Sequence, residues 1–411
     1  MNIQEEIKKN ESELISLRRQ FHIHPELSEQ EFHTMDAIEA KLKEWDIPSV
    51  RVPRGGILGF IDSGRPGYTM LLRADIDALP IEEDPMNLTK KKVCVSENPG
   101  VMHACGHDGH MAMQLIAGKI LAAHREEWDG RVILLFEEGE ENGSRFILQL
   151  HKYLDDHKIH IDACYATHVR FDIPAGKETI LSGPVMAGVF EYHGTITGRG
   201  GHGSRPDLAA SPLDGFMSFY QALQTIRMQK ISPEACLTFS IGSVHMGNAA
   251  NVIPDTLTFE GTCRFFEMEA GETFRQLLWK TLDTECARCG CQWKATKDQF
   301  LLPVINDPTC AAIAKKATAD NLGADTLLDA PRWMASESMA LTLARWPGIL
   351  AFTGINDPET GSGAGHHTAK FDIGEKGLST GVGTVLSYTL AMLKEKPQLN
   401  FTPVDTSSCK N

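Results

Sequence analysis

The order of predicted strands and helices changes twice along this chain, and no other feature constrains its fold as strongly. The first part alternates short apolar strands with a helix. The predicted strands cover residues 57–62, 68–73, 131–136 and 161–168, and the helix covers residues 111–123. This alternation is typical of a largely parallel sheet with helices on both faces, and ligands of such sheets gather at the carboxyl ends of the strands.

The pattern changes after Gly183 and changes back after Pro303. Between these residues, half-exposed strands and helices follow in the order βαββαβ, which is typical of a ferredoxin-like domain. After Pro303, helices and strands alternate again. We therefore predict a discontinuous α/β catalytic domain, an inserted domain and a tail, with the respective bounds 1–185 with 299–396, 186–298, and 397–411.

Composition limits the class of partner. The chain has 411 residues and a formal net charge of −14, so we expect more than one domain and neither nucleic acid nor an anionic membrane as a partner. The polar N-terminus lacks a signal peptide's apolar segment, and no later segment is long and apolar enough to span a bilayer. Ten scattered cysteines suit a reducing compartment, so we expect a cytoplasmic protein.

Residues 102–110 contain a dense group of metal-ligand side chains. The segment reads Met-His-Ala-Cys-Gly-His-Asp-Gly-His, and it leads directly into the predicted helix. Cys105 and His107 flank Gly106, which permits an unusual backbone turn. Thiolate and imidazole at this density favour a transition metal. A glycine-containing loop whose histidines only cap the helix is the alternative interpretation.

Further metal-site candidates follow other predicted strands and a glycine-rich turn. Each one alone also fits a solvated loop or an ordinary buried histidine. Together, at strand ends of one predicted domain, they indicate a hydrolytic metal site, in which one carboxylate binds metal and another accepts a proton. They are Asp75 and Asp77, the acidic run at residues 137–141, His168, and the pair His366 and His367.

These segments resemble the M20 metallopeptidase family, and within it the branch of aminoacylases, hippurate hydrolases and indole-acetyl-amino-acid hydrolases. The motif HACGHD within residues 102–110 is the most specific match. The other matching segments are RQFHIHPEL at 19–27, RADIDALPI at 73–81, GRGGH at 198–202, NVIPDT at 251–256, GTCR at 261–264, Ser336-Glu337 and residues 367–371.

The resemblance implies two divalent metal ions, zinc or manganese first and cobalt or nickel as alternatives. The implied ligands are Cys105, His107, Glu141, His168 and His367. Glu140 would act as the general base, and Asp77 would orient a ligand. Asp75 stands where other branches of the family have a ligating histidine, so its contact with metal is left open.

The resemblance also implies a role for the inserted domain, as a lid and a dimerisation domain in a homodimer. His202 would then enter the active site of the partner subunit and stabilise the oxyanion. Asn251 and Arg264 would hold the α-carboxylate of the substrate. Alternatively, Asn251 only sets a turn and Arg264 only pairs with a neighbouring acid.

Two positions depart from the family pattern. The branch has Gln-Pro-Ala where this chain has Glu137, Glu138 and Gly139, so a second acidic pair competes with Glu140 and Glu141. A proline is usual two residues after the last metal histidine, whereas this chain has Ala369. His366 is therefore an alternative to His367 as the ligand.

The expected function is hydrolysis of the amide bond of an N-acyl amino acid, a small-molecule substrate. A dipeptidase or carboxypeptidase using the same site is the first alternative, and a catalytically silent binding or scaffold protein is the second. The sequence has no Gly-x-Gly-x-x-Gly after its first strand, which argues against a dinucleotide-dependent oxidoreductase.

Overall fold

The chain forms two units in the computed structural model, which describes residues 1–143, 145–406 and 409. The first unit contains Met1–Gly183, Ile305–Pro331 and Leu341–Val404. The second contains Pro184–Val304, Arg332–Ala340 and the described residues after Val404. The predicted boundaries 186 and 298 lie inside the second unit, and residues 407, 408, 410 and 411 of the predicted tail lie outside the described residues.

The elements alternate between helix and strand through most of the chain. In chain order they are α1 (Ile3–Ile23), α2 (Phe32–Glu44), β1 (Ser49–Val52), β2 (Gly56–Asp62), β3 (Thr69–Asp75), α3 (His107–Ala123), β4 (Arg131–Glu137), α4 (Ile147–Asp156), β5 (Ala163–Pro174), β6 (Glu178–Thr179), β7 (Gly183–Met186), β8 (Gly188–Thr197), β9 (Gly201–His202), α5 (Pro212–Gln229), β10 (Leu237–Met246), β11 (Val252–Ile253), β12 (Thr256–Phe265), α6 (Met268–Arg288), β13 (Gln292–Leu301), β14 (Val304–Asn306), α7 (Pro308–Leu322), α8 (Met339–Leu343), β15 (Gly348–Asn356) and α9 (Lys376–Glu395).

A seven-stranded sheet organises the first unit, in the order β1-β2-β4-β3-β5-β15-β6. The four central strands β4, β3, β5 and β15 run parallel, while β1, β2 and β6 pair antiparallel at the edges. This confirms the expected parallel core. Asp75 at the end of β3 lies opposite Glu137 at the end of β4, so the segments that follow these strands leave the same edge of the sheet.

The core of the first unit holds the helix that carries the HACGHD motif. Helix α3 is buried along most of its length, because it packs on β3, β5 and the helices α1 and α9. A helix with apolar residues on all sides is typical of such a buried position. Its first turn is therefore held firmly beside the carboxyl ends of the strands.

A four-stranded antiparallel sheet organises the second unit, in the order β10-β12-β8-β13. Helices α5 and α6 pack on it. With the short strands β9 and β11 set aside, the element order is βαββαβ, which confirms the ferredoxin-like expectation. Buried and half-exposed residues alternate along β8, as expected for a sheet with helices on one face.

None of the helices among the described residues combines the length and the apolar character needed to cross a membrane.

Candidate metal centre

The turn before α3 sets the positions of the first two candidate ligands. The sequence predicts a helix from residue 111, but α3 begins at His107. The residue before it, Gly106, has a φ of +93°, and a Cβ there would lie 2.3 Å from Cγ2 of Val169. Glycine therefore allows both the backbone turn and the close approach to β5. As a result, Cys105 and His107 lie on either side of this turn.

Replacing Gly106 with alanine should distort the turn before α3 and lower the stability of the protein. The left-handed backbone alone costs a side chain about 1–2 kcal/mol, and the contact with Val169 adds to that cost. Gly176→Ala is a matched control, because Gly176 has a φ of +88° and open space around its missing Cβ. Urea denaturation should show a larger loss of stability for Gly106→Ala than for Gly176→Ala, with loss of bound metal only in the former. Equal losses would contradict this account.

The five predicted ligands come together at the carboxyl edge of the sheet. Sγ of Cys105 lies 3.5 Å from Nε2 of His168. Oε1 of Glu141 lies 3.7 Å from Nε2 of His107 and 3.4 Å from Nε2 of His367. Three overlapping groups of side chains, each with its ligand atoms within 4.8 Å of one another, are Cys105–His107–His168, Cys105–Glu141–His367 and His107–Glu140–Glu141.

The chemistry of this cluster fits divalent metal. Nε2 of His107 and Oε1 of Glu141 are buried and have no hydrogen-bond partner among the described residues. Buried polar atoms without partners are rare and costly in folded proteins, and these two face each other within the cluster. One thiol, three imidazoles and a carboxylate form a donor set suited to zinc and to neighbouring transition metals.

Asp77 holds His107 in the orientation that a ligand needs. Nδ1 of His107 lies 3.1 Å from Oδ1 and 2.9 Å from the backbone oxygen of Asp77. The other carboxylate oxygen, Oδ2, accepts hydrogen bonds from the Ser28 hydroxyl at 2.6 Å and from the Glu141 backbone N–H at 2.8 Å. With Nδ1 donating to Asp77, Nε2 of His107 is directed to the cluster, as in carboxylate–histidine–metal arrangements.

Asp75 contacts one residue of the five-ligand cluster and two groups outside it. Its Oδ2 lies 3.5 Å from Nε2 of His107, and Asp75, His107 and His110 form a further group of candidate metal ligands. Asp75 accepts from Nη1 of Arg73 at 2.8 Å and pairs with Nδ1 of His110 at 2.6 Å. The backbone N–H of Val169 donates to Nε2 of His110 at 2.9 Å, so both ring nitrogens of His110 are engaged. Sequence reasoning gave His110 no role. Its spacing of three residues from His107, on the same helix, was the available signal.

The two competing pairs differ in their surroundings. Glu137 is paired with the Arg73 guanidinium, with an Nη2–Oε2 distance of 2.5 Å. Burial and the nearby Glu29 raise the pKa of Glu138, and among the described residues Glu138 belongs to none of the metal-ligand groups. Glu140 and Glu141 do belong to one.

The two neighbouring histidines, His366 and His367, also differ in their surroundings. His366 packs against the rings of His168, Phe171 and Phe371. The backbone N–H of His367 donates to the Ala104 oxygen at 2.9 Å, and its side chain faces Glu141. His367 thus belongs to a metal-ligand group with Cys105 and Glu141, whereas His366 belongs to none of the groups formed by the described residues.

The candidate residues of the inserted unit lie at two separate places. His202 is exposed on β9, which pairs with β11, and the Gly203 backbone N–H donates to the Asn251 oxygen at 2.8 Å. Asn251 therefore lies beside the turn that carries His202. Arg264 lies eight residues beyond the start of β12 at Thr256, which corresponds to about 26 Å along the strand. The structure does not bring Arg264 to Asn251 within this unit.

Metal binding should release protons from this site. Burial and the nearby Glu141 raise the pKa of the Cys105 thiol well above its usual value. Burial opposes charging of His107, but Asp75 and Asp77 outweigh it and raise the pKa of His107. Both shifts favour the protonated form in the metal-free protein, and each group must lose a proton to ligate.

We expect proton release when metal is added in weak buffer, because the Cys105 thiol and a protonated His107 ring must each lose a proton before they can bind it. Metal affinity should also fall as the pH is lowered, because protons compete for the same atoms. Titration of apoprotein with zinc in a pH-stat measures the release directly. Loading without proton release would contradict the predicted protonation states.

Comparison with known proteins decides the family. The sequence pattern of Peptidase family M20/M25/M40 matches residues 71–391. This chain belongs to that family. Membership in the M20 family makes it a metal-dependent hydrolase of amide bonds.

Individual M20 relatives match nearly the full chain. An IAA-amino acid hydrolase ILR1-like 2 of Arabidopsis thaliana is 33% identical over 93% of this chain and 86% of its own length. An N-acetyldiaminopimelate deacetylase of Enterococcus faecalis is 31% identical over 92% and 97%. The solved structure of the Bacillus subtilis YXEP protein, described as a dinuclear metal binding peptidase, has a TM-score of 0.79 and 28% identity, covering 94% of this chain and 99% of that one.

Proposed function

We propose that this protein removes the acyl group from N-acyl amino acids, using two divalent metal ions. The observation that carries the proposal is the convergence of five candidate ligand side chains and Glu140 at one edge of the sheet. The relatives named for amino-acid conjugates and N-acetyl compounds support this substrate class. The similarity to a protein described as dinuclear supports the number of metal ions.

The ions would be held by Cys105, His107, Glu141, His168 and His367, with zinc or manganese as the first candidates and cobalt or nickel as alternatives. Divalent metal bound there lowers the pKa of water and polarises an amide carbonyl.

Glu140 performs the proton transfers. It is half-buried and lies in one group with His107 and Glu141. Its carboxylate accepts the proton of the attacking water and then delivers it to the nitrogen of the departing amino acid. Asp77 contributes indirectly, because it fixes the ring of His107.

His202 is proposed to stabilise the oxyanion in the active site of a partner subunit. The Ser204 backbone N–H donates to Nδ1 of His202 at 3.1 Å. In the neutral ring the proton therefore sits on Nε2. An exposed Nε2–H is the kind of donor that an oxyanion requires.

The inserted unit also has a surface that suits a second copy of the chain. Leu213, Met217 and Tyr220 are 40–48% exposed and lie three and four residues apart on α5, so they share one face. Strand β10 is a sheet edge, where Val244 is 44% exposed. Unpaired edge strands and apolar helix faces are covered in stable proteins, and we propose a homodimer formed here.

Asn251 and Arg264 are proposed to bind the substrate carboxylate from different subunits. One small substrate cannot span the length of β12 that separates them in a single chain. In a homodimer, Asn251 accompanies His202 from one subunit, and Arg264 comes from the other.

The cytoplasm is the proposed location. No disulfide bond is present among the described residues, which suits a reducing compartment.

A substrate panel tests the proposed function. Purified protein loaded separately with zinc, manganese, cobalt or nickel is incubated with N-acetyl amino acids, N-benzoyl amino acids and dipeptides, and amino-acid release is measured. We expect release from the blocked substrates, with Glu140→Gln as the inactive control. Release from dipeptides alone would move the protein to the peptidases, and no release from any substrate would support a silent relative.

A further inference from the structure

A buried network of charged side chains lies behind the metal centre and joins α1 to α3. Nε of Arg18 donates to Oδ2 of Asp108 at 2.9 Å. Nδ1 of His22 lies 2.9 Å from the same oxygen. The side chains of Arg18, His22 and Asp108 are fully buried. Asp108 follows His107 in the chain, so these contacts anchor the helix turn that carries a candidate ligand.

The same network continues into the loop before α3. Nε2 of His22 lies 3.0 Å from Oε1 of Glu83. Nζ of Lys92 donates to this oxygen at 2.9 Å, and the Ser96 backbone N–H donates to Oε2. The Lys92 side chain is fully buried and that of Glu83 is 5% exposed. Burial of charges is costly unless they are paired and hydrogen-bonded, and here each has several partners.

The network ends on the segment that carries His367. Nζ of Lys92 donates to the backbone oxygen of Ala369 at 3.0 Å, and the Asp84 backbone N–H donates to the same oxygen at 3.0 Å. Two hydrogen bonds, from residues 84 and 92, therefore fix the position of this carbonyl two residues after His367.

We propose that Lys92 and Glu83 are positioning residues. They hold the His367 segment against the Cys105–His107 turn and so keep the metal ligands in their positions relative to one another. The observation behind this is a continuous path of buried hydrogen bonds from Asp108 through His22, Glu83 and Lys92 to Ala369. The expected effect on metal binding rests on the proposed metal site, whereas the contacts themselves are present without metal. Loss of such supporting contacts typically weakens metal binding about 10- to 100-fold.

The test compares Lys92→Met with Lys91→Met, because Lys91 is exposed and adjacent. In metal-free protein, hydrogen exchange is followed in peptides that contain the His367 amide, which is bonded to the Ala104 oxygen. In metal-loaded protein, transfer of metal to a chelator is timed well below the unfolding temperature. If Lys92→Met fails to fold, Glu83→Gln, which removes the charge and keeps the shape, takes its place.

We expect faster exchange at the His367 segment and about 10-fold faster metal loss in Lys92→Met, with kcat at saturating metal close to that of the control. Exchange and metal loss equal to those of Lys91→Met would overturn the proposal. So would a uniform rise in exchange over the whole first unit, which indicates general destabilisation. A wild-type protein that binds no metal would refute the proposed function, while the exchange experiment would still test the contacts.

Discussion

Glu140→Gln should lower kcat by about 10²- to 10⁴-fold, the range that general acid–base catalysis contributes. Glutamine keeps the shape of the side chain but cannot accept the proton of water. Because the five proposed ligands are untouched, the variant should retain wild-type metal content. Kinetics on an N-acyl amino acid, together with elemental analysis of the same sample, measure both quantities.

Two further variants separate the base from its neighbours. Glu141→Ala should lose metal, because its carboxylate faces His107 and His367. Glu138→Gln should stay active, since its surroundings are Glu29 and the Gly55 backbone. If Glu140→Gln kept near wild-type turnover, the general base would be Glu137 or Glu138 and not Glu140.

His202→Ala should lower kcat by about 10²- to 10³-fold, the usual loss when one oxyanion donor is removed. The side chain is exposed in its own unit, so folding and metal content should not change. Circular dichroism, thermal unfolding and elemental analysis serve as the controls. A variant with normal turnover would eliminate the oxyanion role.

Mixing the two inactive variants tests whether His202 acts across a dimer. In a heterodimer of Glu140→Gln and His202→Ala, one site combines an intact Glu140 with an intact His202 from the partner. With random exchange, half of the dimers carry one such site of two, so about a quarter of wild-type activity should return. If verified subunit exchange restores nothing, His202 acts within its own chain or not at all.

The local parts of the site could be predicted because spacing within a motif determines them. Cys105, Gly106 and His107 are adjacent in sequence, and the ends of β3 and β4 are neighbours by the pairing of Asp75 with Glu137. Parallel strands bring such ends to one edge whatever the details of the loops. The α/β unit and the βαββαβ unit were predictable for the same reason, since their order follows from hydrophobic periodicity.

The remaining parts depend on contacts that periodicity does not encode. The first turn of α3 was missed because residues 107–110 lack apolar side chains, although Gly106 starts the helix there. The contact of Lys92 with the Ala369 carbonyl joins residues 277 positions apart. The lysine run at residues 90–92 suggests a solvated loop, and only the fold shows that Lys92 alone is buried.

Metal removal and return test the central claim most directly. Protein is stripped with chelator and titrated with zinc or manganese, and bound metal and hydrolysis of an N-acetyl or N-benzoyl amino acid are measured at each step. We predict no turnover in the stripped protein and full turnover at two ions per chain. Full turnover after complete stripping, or two bound ions without hydrolysis of any blocked amino acid, would contradict it.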